Sequence, residues 1–305
     1  MNIFKDSLQK QNPFDKYFFW IVMLISGLGL LSFVSASLGI LAKSESKFYG
    51  VLFNQIVLGF IFGLLILWIF ARIPYTFWRK YSFYIFLASV VLTLCVFVPG
   101  LGFSHGGARR WISIGPISFQ PAEALKIAFV IYFSAWLAWT RKRQEDIKFR
   151  IIPLFIILLV VASSLLFQPD TKSLILITIS ACGMLFTSGV SWKKILIIGV
   201  IGFGAITILA FVRPYIMDRI KTFINPASDP RGSSYQLQQS LIAIGSGGAF
   251  GRGLGQSVQK FSYLLEPQGD SIFAVIGEEF GFLGTTILLT LYVFFAIRGF
   301  KIALR

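Results

Sequence analysis

The sequence has 305 residues, of which 56% are hydrophobic and only 13% are charged, and its mean hydropathy is +0.76. One soluble core cannot bury so much apolar surface, so the composition excludes a soluble globular domain and indicates an integral membrane protein. The net charge of +15 does not indicate nucleic-acid binding, because most Lys and Arg flank apolar segments and no basic stripe with interleaved aromatic residues is present.

Eight apolar segments are long enough to cross a hydrocarbon core of about 30 Å as helices. The first is too long for the apolar region of a signal peptide, so we interpret it as a retained helix. The segments cover residues 17–42, 48–71, 81–100, 122–139, 151–167, 173–190, 193–212 and 272–297. We therefore expect an all-α polytopic membrane protein, with one membrane domain over residues 1–305.

The orientation of these helices follows from the positive residues in the short connections. Lys and Arg are concentrated on the side that carries both termini, for example in residues 72–80 and 140–150. Such residues favour the cytoplasmic side of a membrane. We therefore expect both termini to be cytoplasmic and two loops, about 101–121 and 213–271, to be extracytoplasmic.

Several kinds of site are excluded by the residues present. Cys95 and Cys182 lie in apolar segments far apart, so no disulfide framework is indicated, and the single His105 leaves no zinc-binding cluster. The glycine-rich stretch at residues 245–255 lacks the G-x-G-x-x-G spacing, and no phosphate-binding P-loop motif occurs. A dinucleotide site and a nucleotide-driven pump are therefore not expected.

The connection before the fourth segment, residues 106–129, is rich in Gly and Pro, which demand non-helical backbone. We expect it to lie flat on the outer leaflet until the chain enters the membrane at Pro121. Arg109 and Arg110 sit there at headgroup depth, and guanidinium groups match phosphate oxygens. The alternative for both is ordinary interfacial anchoring beside Trp111.

Glu123 and Lys126 follow at a spacing of i and i+3, which places them on one face of a helix early in a span. Opposite charges at that spacing form a structural salt bridge at lower cost than either charge alone. Ionisable groups within spans also line polar cavities. The sequence leaves both interpretations open.

The second polar segment, residues 225–284, contains glycine-rich turns, an apolar helix "SYQLQQSLIAI" and the carboxylate of Asp270 just before the last span. A carboxylate at the membrane surface is suited to accept a proton from a sugar hydroxyl. The alternative role is the N-cap of the following helix. Glu278 and Glu279 come two turns later, and at least one of them should face the protein interior.

These motifs resemble one known family. The stretches "GARRWISIGPISFQPAEALKIA", "FQPD" (167–170), "YQLQQSLIAIGSGGAFGRGLGQSVQKFSYLLEP" and "DSIFAVIGEEFGFLG" resemble the SEDS family, the FtsW, RodA and SpoVE group of bacterial cell-wall polymerases. The resemblance runs from the third span to the end, whereas the first two spans match only in hydropathy.

The resemblance implies a peptidoglycan glycosyltransferase of the bacterial cytoplasmic membrane, acting in cell division or elongation. Such an enzyme joins lipid II units into glycan strands on the outer face and releases undecaprenyl pyrophosphate. The family motif Y-L-P-E-x-x-x-D-F-I-F-A carries the catalytic Asp, and "YLLEPQGDSIFA" keeps Asp270 at that spacing from Tyr263. An inverting displacement with one general base is then expected, without a covalent glycosyl-enzyme.

The resemblance also implies binding residues and partners. Arg109, Arg110 and Lys126 would neutralise charge that develops on the leaving diphosphate. A divalent cation, Mg²⁺ or Mn²⁺, could share that task, although no ligand cluster in the sequence indicates one. The expected partner is a class B penicillin-binding protein, a transpeptidase. Residues taken as substrate-binding candidates are Arg109, Arg110, Glu123, Lys126, Asp170, Gln239 and Lys260.

Two departures from the family leave other functions open. The motif Q-P-D-L-G-T-A appears as "QPDTKSL", which keeps Asp170 but adds Lys172. The family usually has ten spans, whereas we expect eight, so a fragment, a short member and a non-catalytic scaffold all remain as interpretations. A flippase or transporter of lipid-linked precursors is the other alternative, although no internal symmetry supports it.

Overall fold

The computed structural model is mostly helical, and a helix lies at each of the eight predicted spans. It describes residues 15–42, 44–105, 108–114, 117–142, 148–212, 214–226 and 234–304. Parts of the predicted cytoplasmic tail and of the large external loop, residues 1–14 and 227–233, lie outside the described residues.

Twelve α-helices and one π-helix are described along this part of the chain. They are α1 Lys16–Leu41, α2 Glu45–Phe53, the π-helix Asn54–Ile61, α3 Phe62–Arg72, α4 Tyr75–Cys95, α5 Pro121–Lys142, α6 Lys148–Phe167, α7 Thr171–Thr187, α8 Trp192–Val212, α9 Pro214–Ile224, α10 Tyr235–Ser246, α11 Gln259–Ser262 and α12 Ile272–Ala303. The apolar helix expected within the external loop is confirmed as α10.

Four of these helical stretches are long and apolar enough to cross a membrane, among the residues described. They are Lys16–Leu41, Glu45–Arg72, Pro121–Thr140 and Ile272–Ala303. Two shorter apolar helices, Ile152–Phe167 and Thr171–Thr187, coincide with two more predicted spans. The other two predicted spans coincide with α4 and α8.

A small antiparallel sheet between α4 and α5 corrects the all-α expectation. Its strands are β1 Gly102–His105, β2 Ala108–Ile114 and β3 Ile117–Phe119, in the order β1-β2-β3. Glycine and proline stop helix formation here, and the alternating "RWISI" of β2 suits a strand. The segment predicted to have non-helical backbone therefore contains an antiparallel sheet.

The chain forms two compact units, and the first of them comprises residues 1–68 and 214–305. In this unit α1 packs against α12. The Asp15 carboxylate before α1 lies 2.9 Å from the guanidinium of Arg298, near the end of α12. The rings of Phe18 and Phe295 stack beside this ion pair, with centroids 5.2 Å apart. The two helices therefore run antiparallel, and the start of α12 lies near the end of α1.

The second unit, residues 69–213, is built around an apolar core formed by α4, α5, α6, α7 and α8. Phe129 and Phe133 of α5 are fully buried, and the Phe86 ring of α4 stacks on Tyr132 with centroids 5.1 Å apart. Helix α7 begins after Asp170, whose carboxylate accepts a hydrogen bond of 3.2 Å from the backbone N–H of Ser173. This is the geometry of an N-cap.

Helix α12 is interrupted at Gly281, where the backbone adopts φ 67° and ψ −165°. The glycine-rich turn at 247–253 bonds to the backbone on both sides of this break. The N–H of Arg252 donates to the carbonyl of Glu278 at 3.0 Å, and the N–H of Phe282 donates to the carbonyl of Gly248 at 2.9 Å. Because lipid offers no hydrogen bonds, an interrupted helix needs protein groups of this kind.

We expect Gly251→Ala to destabilise this junction by about 2 kcal/mol or more. Gly251 has a φ of +79°, and a methyl group on it would overlap the backbone carbonyl of Glu279. Gly245→Ala is the matched control, because Gly245 lies in α10 with open space around its Cα. Thermal unfolding in detergent should show a lower Tm for Gly251→Ala only. Equal Tm values would contradict the described junction.

Candidate active site

The Asp270 carboxylate lies in the turn immediately before α12 and is exposed. Within the part of the chain that the structure describes, it makes no hydrogen bond or ion pair. The N-cap position of α12 is occupied by Ser271, so the capping role considered for Asp270 is not observed. The exposed carboxylate of Asp270 is therefore accessible to another molecule.

The side chain of Ser271 connects this turn to neighbouring parts of the chain. It is buried, and its hydroxyl donates to the carbonyl of Leu265 at 3.1 Å. The same hydroxyl accepts a hydrogen bond of 3.3 Å from the side-chain amide of Gln236 in α10. The candidate residue Gln239 follows Gln236 by one helical turn and is half-buried. The turn that carries Asp270 is thus attached to both α10 and α12.

Lys260 lies in the interior of the first unit and is 1% exposed. Its ammonium group is 2.7 Å from Oε1 of Glu279, and it donates to the carbonyl of Gly255 at 2.9 Å. Ser35 of α1 lies 3.1 Å from the same ammonium nitrogen, and its hydroxyl is 2.7 Å from the Glu279 carboxylate. These protein groups occupy the three donor positions of the lysine.

Glu278 is fully buried next to this ion pair and has its own set of donors. It accepts hydrogen bonds from the hydroxyl of Ser257 at 2.6 Å, and from the N–H groups of Val258 at 3.0 Å and Gln259 at 3.2 Å. The guanidinium of Arg252 lies 3.6 Å from the same carboxylate. The prediction that at least one of the two glutamates faces the interior is confirmed for both.

In the second unit, Arg109 and Arg110 have different surroundings although they are neighbours. Successive side chains of a strand point to opposite faces, and both residues lie in β2. Arg110 is half-buried and donates to the backbone carbonyls of Gln168, at 3.0 Å, and Pro169. Arg109 is exposed. Arg110 therefore anchors the sheet to the turn before α7.

That turn is a compact polar cluster around Asp170, which is 2% exposed. The Asp170 carboxylate accepts from the hydroxyl of Ser173 at 2.8 Å and from the amide of Gln120 at 3.3 Å. Gln168 donates through its side chain to the carbonyl of Thr93 in α4 at 2.6 Å. The structure thus places Asp170 in a network of protein groups, where its contacts order the backbone.

Glu123 and Lys126 form the ion pair that their spacing predicts, with a separation of 2.8 Å. Their side chains are 57% and 25% exposed, respectively, so the pair remains accessible. Lys126 also lines a cavity of about 290 Å³ between α5 and α7. The pair is therefore the salt bridge that the sequence spacing predicts, and Lys126 also borders a mostly apolar cavity, so a role in binding stays a prediction.

A larger apolar groove of about 810 Å³ runs between α4 and α5 in the second unit. Alanine and serine side chains of both helices leave the space open, and Tyr75, Trp78 and Arg79 line one end. Ala124 and Ile127, which flank Lys126 in sequence, line the groove as well. The sequence pattern did not indicate this groove, because it arises from small residues brought together by helix packing.

Reasoning from sequence also missed the partners of the buried charges, among them Ser35, Arg252 and Ser257. Serines are common in spans and carry no signal of their own, so only their spatial position identifies them. Across the described ranges, no group of three or more His, Cys, Asp or Glu side chains could hold a metal ion. The described residues therefore provide no ready-made set of ligands for a divalent cation.

Comparison with known proteins gives a consistent result. The family described as FTSW_RODA_SPOVE, cell cycle protein, matches residues 15–305. The probable peptidoglycan glycosyltransferase FtsW of Legionella pneumophila is 37% identical over 293 residues, which cover 95% of this chain and 74% of that protein.

Solved structures agree at the level of the fold. One chain belongs to a peptidoglycan synthase complex that coordinates polymerization and crosslinking, and it matches with a TM-score of 0.73 and 23% identity over 96% of this chain and 79% of that chain. The rod shape determining protein RodA of Thermus thermophilus matches with a TM-score of 0.65 and 23% identity, over 96% and 76% of the two chains. The chain thus has the fold of a mostly helical, polytopic membrane protein.

We expect Arg110→Ala and Arg109→Ala to differ in stability although they remove the same charge. Loss of the charge-assisted hydrogen bonds of Arg110 should lower the free energy of unfolding by about 2 kcal/mol or more. Arg109→Ala should stay within about 0.5 kcal/mol of wild type, since its side chain is exposed. Thermal unfolding followed by tryptophan fluorescence measures both. Equal destabilisation by the two substitutions would contradict the different surroundings of Arg109 and Arg110.

Proposed function

The chain belongs to the FtsW, RodA and SpoVE family, and from this premise we propose that it is a peptidoglycan glycosyltransferase. It polymerises lipid II into glycan strands at the outer face of the bacterial cytoplasmic membrane, in cell division or elongation. The observation that carries this proposal is the exposed carboxylate of Asp270, which has no partner among the described residues and lies in an anchored turn at the start of an apolar helix.

Asp270 is suited to act as the general base. Its carboxylate accepts the proton of the acceptor's 4-hydroxyl as that oxygen attacks the anomeric carbon of the donor sugar. The new β-1,4 bond forms while the bond from that carbon to the diphosphate breaks on the opposite face. Undecaprenyl pyrophosphate leaves, and no covalent glycosyl-enzyme is formed, as in other inverting sugar chemistry.

The second unit offers positive groups for the diphosphate. Of the two neighbouring arginines, Arg109 is the better candidate, because its guanidinium is exposed whereas that of Arg110 donates to backbone carbonyls. Lys126 is partly exposed beside Glu123 and is a second candidate. Cationic groups of this kind stabilise charge that develops on a departing phosphate.

The apolar groove between α4 and α5 supports a lipid-linked substrate. Its volume of about 810 Å³ and its apolar lining fit part of a polyprenyl chain. Ala124 and Ile127, close to Lys126 in sequence, are among the residues that line it. A soluble sugar donor would make no use of such a surface.

We propose that all eight predicted spans cross the membrane within one membrane domain and that both termini are cytoplasmic. The ion pair of Asp15 and Arg298 supports this topology, because it brings the first helix start and the last helix end together. The opposite end of α12, next to Asp270, then lies outside. The excess of Lys and Arg near the termini agrees with this orientation.

We also propose a class B penicillin-binding protein, a transpeptidase, as the partner. The support is the likeness to a chain of a peptidoglycan synthase complex that joins polymerization with crosslinking. Strands made by this protein would then be crosslinked at the place where they emerge.

Asp270→Ala and Asp270→Asn should each lower the rate of strand formation by at least about 100-fold, because removal of a general base costs this much. The assay uses purified lipid II, the detergent-solubilised protein and its transpeptidase, with strands resolved on gels. Asp218→Asn, an exposed aspartate of α9, is the matched control and should keep wild-type activity.

Active Asp270 variants would contradict the role of this residue. A wild-type protein that binds lipid II and its partner but makes no strands would contradict the glycosyltransferase proposal. In that case transport of fluorescent lipid II across vesicle membranes would distinguish a flippase from a scaffold.

A further inference from the structure

We propose that the buried ion pair of Lys260 and Glu279, together with Ser35, positions Asp270 for the reaction. This inference rests on the proposed function and assigns Lys260 a positioning role in place of direct contact with substrate. The assignment follows from the burial of Lys260, whose ammonium group is enclosed by the Glu279 carboxylate, the Ser35 hydroxyl and the Gly255 carbonyl.

The chain connects this pair directly to Asp270. From Lys260 it runs through Leu264 and Pro267, both buried, to the exposed Asp270 and the buried Ser271. The start of this stretch is attached to α12 two turns beyond its beginning, through Glu279. The end of the stretch is the beginning of α12 itself. The loop is therefore fixed to one helix at both ends, and Asp270 lies between the two attachments.

Glu278 and Glu279 contribute to this attachment in different ways. Glu278 is satisfied by two backbone N–H groups and the Ser257 hydroxyl, so it orders the backbone just before Lys260. Glu279 is paired with a single lysine side chain and one serine. The contact between Lys260 and Glu279 is therefore the part of the attachment that substitution of a single side chain removes.

A buried ion pair is weak support for stability, because desolvation of both charges offsets much of their attraction. Such pairs can instead specify one conformation among several. The pair is buried whereas Asp270 is exposed, and it connects the start of the loop to α12. A displacement of about 1 Å in a reacting group can lower a rate by about 100-fold.

The test compares Lys260→Met and Glu279→Gln with wild type. Each variant should lower kcat for strand formation by about 10- to 100-fold, whereas KM for lipid II stays within about twofold. Lys260→Arg, which keeps the positive charge, should recover part of kcat. A purely structural role would lower the amount of folded enzyme without changing kcat per folded molecule.

Arg298→Met is the matched control. Arg298 and Asp15 form an ion pair between the same two helices, α1 and α12, at the end far from Asp270. Its loss should leave kcat unchanged. If Arg298→Met lowers kcat as much as Lys260→Met, the effect is one of helix packing and the positioning role is overturned.

A second measurement does not depend on catalysis. A nitroxide label at Asp270→Cys, with Cys95→Ala and Cys182→Ala, reports the mobility of the loop. Lys260→Met and Glu279→Gln should each increase that mobility, and Arg298→Met should not. If neither the mobility of the loop nor kcat changes in the variants, the proposal is overturned. Glu279→Gln alone is sufficient for this test if Lys260→Met does not fold. If the variants increase the mobility of the loop but the wild-type protein makes no strands, the attachment of the loop is supported and the proposed glycosyltransferase function is contradicted.

Discussion

A carboxylate inside a membrane protein must be paired, because lipid offers neither water nor counterions. Glu278 and Glu279 meet this requirement by binding one stretch of chain, residues 252–260, through Arg252, Ser257, Lys260 and backbone N–H groups. That pairing fixes the external segment to α12. The interruption of α12 at Gly281, the glycine-rich turn packed into it and the turn that exposes Asp270 all depend on the same attachment.

In the second unit, charged and polar side chains order the turn before α7. The turn before α7 connects the end of α6 to the start of α7. Its backbone carbonyls accept hydrogen bonds from Arg110, and Asp170 caps α7. Gln120 and Ser173 complete the bonding of Asp170. Polar residues that resemble binding groups in the sequence therefore serve here to order the backbone, whereas Arg109, Lys126 and Glu123 remain accessible.

Sequence reasoning predicted the helices well, because apolar length depends only on local composition. The exposed position of Asp270 and the burial of at least one of Glu278 and Glu279 also followed from their place relative to the last span, whereas the burial of both did not. The bonding partner of Glu279 could not be predicted, since Ser35 is 244 positions away along the chain. Arg109 and Arg110 were indistinguishable until the strand placed them on opposite faces, and Gly281 carries no signal in a hydropathy profile.

Amide hydrogen exchange in the wild type and in Glu279→Gln tests the central claim, that the buried ion pair holds the loop bearing Asp270. We predict faster exchange across residues 257–271 in the variant, with little change in the rest of α1 and in α12 beyond Gly281, because only the attachment of the loop is weakened. Exchange that remains slow across residues 257–271 would contradict the account, and so would a uniform increase over the whole unit.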